Sequence, residues 1–113
     1  MSEATFRKNG VRDETDMQYY SATGIIFPPN DDFSQALTKI CEDKGITKHL
    51  QHNLTAVDKD NRVATFTNLT TGEKVNTDFD FLHVVPPQTA PKFIMDSELA
   101  HENGWLDVNI NTL

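Results

Sequence analysis

Phe79-Asp80-Phe81-Leu82-His83-Val84-Val85-Pro86-Pro87-Gln88 is the stretch that most limits what this chain can become. Apolar residues at 81, 82, 84 and 85 leave no wet face. The run therefore reads as a strand over 79–85 buried on both sides, the central strand of a parallel sheet. Pro86 has no amide donor and Pro87 restricts the backbone of Pro86, so ladder pairing must stop where the apolar run stops. Two readings of Pro-Pro stand at this point. It ends a strand and nothing more, or it forms a rigid loop at the carboxyl edge of an α/β sheet, where ligands bind, with its carbonyls held at a fixed height.

The rest of the chain supplies neighbours for such a strand. Ser2 to Gly10 reads as a short helix with Ser2 as its cap and Arg7, Lys8 and Gly10 at its end; two turns are too few to stand without packing. Residues 17–22 (Met-Gln-Tyr-Tyr-Ser-Ala) favour a strand, and Ile25-Ile26-Phe27 is an apolar patch closed by Pro28-Pro29. Asn30, Asp31 and Asp32 are candidate caps of a helix over 31–44, on which Phe33, Ala36, Leu37, Ile40 and Cys41 share one face. From Ile46 the period changes from helical to two. Strands are expected around 47–50 and 53–57, a turn at 58–61, a strand at 62–67, a turn at 69–72 and a returning strand at 73–77, which together make a β-meander. After the proline loop, Pro91 argues against a regular element over 89–94. A short helix is expected at 97–102, stopped by Gly104, and a terminal strand at 105–108.

The expected fold class is α/β and three-layered. A parallel sheet of strands 17–22, 47–50 and 79–85 carries the helix on one face and the meander on the other.

Charge and cysteine usage narrow the function classes. Seventeen acidic residues against ten basic ones give a net charge of −7, and no basic cluster occurs, which argues against nucleic acid or an acidic membrane surface as partner. A single cysteine among 113 residues forms no internal disulfide. Residues 1–30 hold no apolar core of signal-peptide type, no window nears 18 apolar residues, and the chain reads as soluble. Cys41 sits on an apolar stripe and is expected to be a buried small hydrophobe rather than a redox nucleophile.

Other local motifs weigh little. His49 and His52 form H-x-x-H, but on a continuous strand they would point to opposite faces, and no further ligand recurs at metal-site spacing. The sequons at Asn53 and Asn68 matter only in a secreted protein. Tyr19, Tyr20 and Phe27 suit core packing better than ligand stacking. His83 is expected to be a buried, hydrogen-bonded histidine rather than a general base. No glycine-rich phosphate loop and no C-x-x-C is present.

With these residues in view, the chain resembles a central segment of the mitochondrial branch of sulfide:quinone oxidoreductase, a flavoprotein of the two-dinucleotide-fold superfamily. The resemblance covers essentially the whole chain. It is carried by Ser2 to Gly10, the helix Phe33 to Ile40, Phe81 to Gln88, and Gly104-Trp105-Leu106-Asp107-Val108 with Thr112-Leu113. It implies a partial Rossmann-like, FAD/NAD(P)-binding-type second domain over 1–104 and a crossover strand over 105–113 leading back to an FAD domain. It further implies a parent enzyme that oxidises hydrogen sulfide, passes two electrons through FAD to a membrane quinone, and hands the sulfur to an acceptor such as glutathione at the mitochondrial inner membrane. The family's two reactive cysteines would fall upstream of Met1 and beyond Leu113, and its FAD glycine motifs have no counterpart here. On this resemblance the chain is an excised piece without catalytic residues. Alone it is expected to be inactive and to bind no FAD, and it is expected to self-associate through Ile25 to Phe27 or the 105–108 tail. Membrane contact would run through segments outside it. Val85, Pro86 and Pro87 are the residues implied to lie against the cofactor in the parent. Two alternatives remain open: a segment of another FAD-dependent NADH/quinone or disulfide-type oxidoreductase, and a non-enzymatic protein-interaction module.

Overall fold

The computed structural model describes residues 1–109 and residue 111; Thr112 and Leu113, part of the sequence resemblance, lie outside the described residues. Two units separate, Met1–Phe81 and Leu82–Leu113. The first holds helix α1 (Ser2–Lys8), a 3-10 turn at Arg12–Glu14, strand β1 (Met17–Tyr20), helix α2 (Asp31–Asp43) and strands β2 (Ile46–His49), β3 (His52–Asp58), β4 (Val63–Asn68) and β5 (Lys74–Asp78). β1 and β2 pair in parallel from Met17 opposite Ile46 to Tyr20 opposite His49, with α2 as the crossover between them. β3, β4 and β5 form the antiparallel meander, with β4 in the middle. The result is a mixed parallel and antiparallel architecture with flanking helices, that of a partial Rossmann-like domain.

Local chemistry explains the boundaries. The Asn30 side chain accepts the Phe33 amide at 3.0 Å, and Asp31 and Asp32 face the positive end of α2. Gly45, at φ 64°, lets the chain leave the helix through the left-handed region. Asp58 accepts the amides of Asp60 and Asn61 and so folds the β3–β4 turn, and Asn68 accepts those of Thr70 and Thr71 at the next one. Ala64 and Phe66, alternate residues of β4, are buried.

Several expectations are corrected. Residues 79–85 form no strand. Their first amide, that of Phe79, donates to the Arg62 carbonyl at 2.9 Å, and the chain then runs irregularly with Phe81 79% and Val85 72% exposed. A parallel strand has no local partner of its own, and among the described residues β1 and β2 pair only with each other and no strand completes the third ladder. His83 is exposed rather than buried. Helix α2 is also rotated relative to the face expected from its periodicity. It buries Ser34 and half-buries Thr38 and Cys41, while Phe33, Leu37 and Ile40 stay exposed, Phe33 at 59%. Small side chains at 34, 38 and 41 allow that face to lie close to a sheet, which the bulky stripe would hold off.

In the second unit, helix α3 (Lys92–Met95) occupies the stretch that Pro91 was expected to keep irregular. Pro91 is its N-cap and accepts the amides of Ile94 and Met95; a proline costs little where helical amides lack acceptors anyway. Neither the 97–102 helix nor the 105–108 strand forms. Gly104, at φ 84°, turns the chain so that Ala100 and Leu106 make one antiparallel bridge, flanked by bonds from His101 to Trp105 and from Asp107 to Leu99. That local hairpin uses the amides a helix would have needed.

Candidate functional site

The segment that the resemblance assigns to a cofactor, Val85-Pro86-Pro87, is exposed throughout. Its prolines present carbonyl acceptors and apolar ring faces and have no donor. A flavin ring could lie against such a wall. A diphosphate could not be held, because that needs convergent amides or a helix N-terminus. Among the described residues, no group of three or more histidine, cysteine or acidic side chains is arranged to hold a metal.

Three other constellations lie in the first unit. Along α2, Phe27, Phe33, Ala36, Leu37 and Ile40 line an open apolar groove, with the Phe27 and Phe33 rings edge to face at 6.0 Å. Phe27 stands in the left-handed region at φ 57°, which turns its ring toward the helix. Tyr19 is exposed, so the suggested set of Tyr19, Tyr20 and Phe27 does not come together as one packed core.

Around Glu3, 4% exposed, one carboxylate meets three cations: Arg7 at 2.5 Å, Lys44 at 3.0 Å and Arg12 at 3.9 Å. Arg12 also donates to the carbonyls of Thr15, Lys44 and Gly45, which ties the 3-10 turn to the end of α2, as the Lys44–Glu3 bond ties α1 to it. Hydrogen bonds from Arg7 and Lys44 hold the Glu3 carboxyl below its ordinary 4.5. This is a brace rather than a reaction centre, since every partner is a fixed donor.

The third constellation was not foreseen. Tyr20 of β1 is stacked between His49 of β2, 4.3 Å between ring centroids, and Phe66 of β4, 3.9 Å. His52 of β3 meets both Tyr20 and His49 edge-on, at 6.0 and 5.9 Å. The expectation that the two histidines point apart is corrected, because Leu50 and Gln51 form a turn, with Gln51 at φ 57°, instead of continuing a strand. Two residues between the ends of two strands leave room only for a sharp reversal; that spacing was the available signal. Burial, followed by the charge of His52, pushes His49 below its ordinary 6.5, and Asp16 opposes both. Cys41 is half-buried, and the sequon asparagines Asn53 and Asn68 belong to the meander strands.

Comparison with known proteins covers the chain from end to end. It is 35% identical over 114 residues to the mitochondrial sulfide:quinone oxidoreductase of Mus musculus, with 100% of this chain and 25% of that protein aligned. It is 32% identical over 108 residues to the enzyme of the same name from Dictyostelium discoideum, covering 95% of this chain and 23% of that protein. The chain thus spans about a quarter of the length of the curated relatives it matches. No protein-family model matches it. Among solved structures, a chain in the cryo-EM structure of the Tetrahymena thermophila mitochondrial ATP synthase superposes with a TM-score of 0.67 at 27% identity, covering 81% of this chain and 22% of that one. Reduced Bacillus anthracis CoADR-RHD superposes with a TM-score of 0.55 at 12% identity over 78% of this chain and 20% of that one, a likeness of fold.

Proposed function

We propose that the chain is part of an FAD-dependent oxidoreductase of the sulfide:quinone type, and that its residues 1–104 complete a second dinucleotide-type domain in that enzyme while 105–113 cross back toward an FAD domain. The observation that carries the reading is the end-to-end similarity to mitochondrial sulfide:quinone oxidoreductases at up to 35% identity. In this reading hydrogen sulfide gives up two electrons, a quinone takes them, and a nucleophile such as glutathione receives the oxidised sulfur, at the mitochondrial inner membrane. FAD, where bound, supplies the two-electron relay. This chain's own contribution is the Val85-Pro86-Pro87 wall, which would exclude water from one side of the flavin and offer it carbonyl acceptors. Catalytic residues lie outside the chain, and the chain alone is inactive.

The test is a chimera in which this chain replaces the matched quarter of the mouse enzyme. Sulfide-dependent quinone reduction with full flavin content is the expected result. A chimera that retains flavin yet reduces quinone only with NADH would overturn the sulfide assignment in favour of another FAD-dependent quinone or disulfide-type reductase. A protein-interaction module is the second reading, supported by the exposed apolar line of Phe27, Phe33 and Ile40.

A further inference from the structure

We propose that Tyr20, His49 and His52 form a pH-sensitive latch that holds the β3–β5 meander to the parallel strands β1 and β2 while both imidazoles are neutral. The cluster draws one side chain from each of the five strands. Tyr20 comes from β1, His49 from β2, His52 from β3, Phe66 from β4, and Thr77 from β5, whose hydroxyl lies 3.1 Å from that of Tyr20. The Tyr20 hydroxyl also donates to Gln18 at 2.8 Å, so the ring is fixed at its face and at its tip. The two sheets share no ladder, although Ser21 exchanges backbone bonds with the histidine strands, accepting from His52 and donating to His49. The aromatic stack is thus the side-chain joint between them.

Charge is what the joint tolerates least. His52 Nδ1 lies 2.7 Å from the Leu50 carbonyl, a contact that fixes the ring's orientation toward Tyr20 and His49. One imidazolium over the Tyr20 face is partly offset by attraction to the ring. Two imidazoliums with ring centres 5.9 Å apart repel through a half-buried space. Asp16, just before β1, is the carboxylate that favours the proton on His49. Phe66 and Thr77 bring no charge from β4 and β5, and on β2 the neighbouring Lys48 is engaged with Glu42 of α2 at 3.5 Å.

The sign follows from the unfolded chain binding a proton at His49 more readily than the folded one. Stability from the latch is complete above 6.5, is lost as pH falls from there toward the depressed folded value, and falls no further below it. That window lies above the one in which Glu3, ordinarily 4.5, and Asp58, ordinarily 3.8, would be protonated.

Urea unfolding of the chain at about pH 7.5 and about pH 5.5, followed by tyrosine near-ultraviolet circular dichroism, tests the proposal. The midpoint is expected to drop at the lower pH, with loss of the ordered tyrosine signal. In His49→Phe, which keeps a stacked ring without a titrating nitrogen, the drop should shrink or vanish. By NMR, His52→Gln should raise the titration midpoint of His49, because a like-charged neighbour is removed. An unchanged wild-type midpoint across the two pH values overturns the latch, as does a full-sized drop retained in His49→Phe. If His49→Phe does not fold, the His52→Gln titration decides, and an unmoved His49 midpoint overturns the proposal.

Discussion

Residues 63–68 and residues 79–85 are both short runs rich in apolar side chains, and only the first is a strand. β4 sits between β3 and β5, each joined to it by a tight turn, so its partners arrive with the chain itself. The later run is apolar on both faces, as a central parallel strand is, but parallel partners come from distant sequence and none pairs with it among the described residues. An apolar pattern therefore reports the environment a segment suits, whereas a ladder also requires neighbours.

The largest expected effect that sharpens this contrast comes from the rings. Phe66→Ala removes a buried ring stacked on Tyr20 and should cost about 3–5 kcal/mol, enough to unfold a marginal first unit; the loss should show as a collapsed urea transition. Phe81→Ala, at a ring left 79% exposed, should change the same midpoint by less than about 0.5 kcal/mol. Equal costs at the two positions would mean that the 79–85 run is packed after all.

Next in size is the Glu3 brace, which joins elements remote in sequence without any strand. The Glu3 carboxyl titrates below its ordinary 4.5, so its contribution is intact above that value and is lost as pH falls through the depressed one. Glu3→Gln should lower the thermal midpoint at neutral pH and remove that part of the acid loss, as read by melts across the acid range. Retention of the wild-type acid profile would show that the brace does not contribute.

Asn30→Ala should cost about 1 kcal/mol through its lost cap on α2, measurable by the same urea titration. Smaller still for the isolated fold is Phe33→Ser, at a 59% exposed ring, which should leave stability nearly unchanged while reducing self-association in light scattering at high concentration. A chain that is already monomeric at high concentration would contradict association through this groove.

The legible parts of the fold were those fixed by neighbouring residues. Asn30-Asp31-Asp32 marked the start of α2, Gly45 its end, and the polar turns at 58–61 and 69–72 divided the meander, because each acts through hydrogen bonds to backbone a few residues away. The illegible parts depended on what lies across a gap in sequence. Periodicity showed that Phe33, Leu37 and Ile40 share a face of α2, but not that the sheet would take the adjacent face, through Ser34, Thr38 and Cys41. His49 and His52 were visible as a motif, yet their meeting depends on the turn at Leu50-Gln51 and on Tyr20, almost thirty residues earlier. Of the proposed flavin-facing segment, the two prolines and their lack of donors were legible from the residues alone, whereas the exposure of Val85 was not.

Amide hydrogen exchange compared between the chain alone and the mouse chimera tests the central claim most directly. The account predicts strong protection of Val63–Asn68 in both proteins, and of residues 81–85 in the chimera alone, where the proposed parent would supply a parallel neighbour and a flavin. Residues 81–85 protected equally in the isolated chain, or unprotected in a flavin-loaded, active chimera, would contradict it.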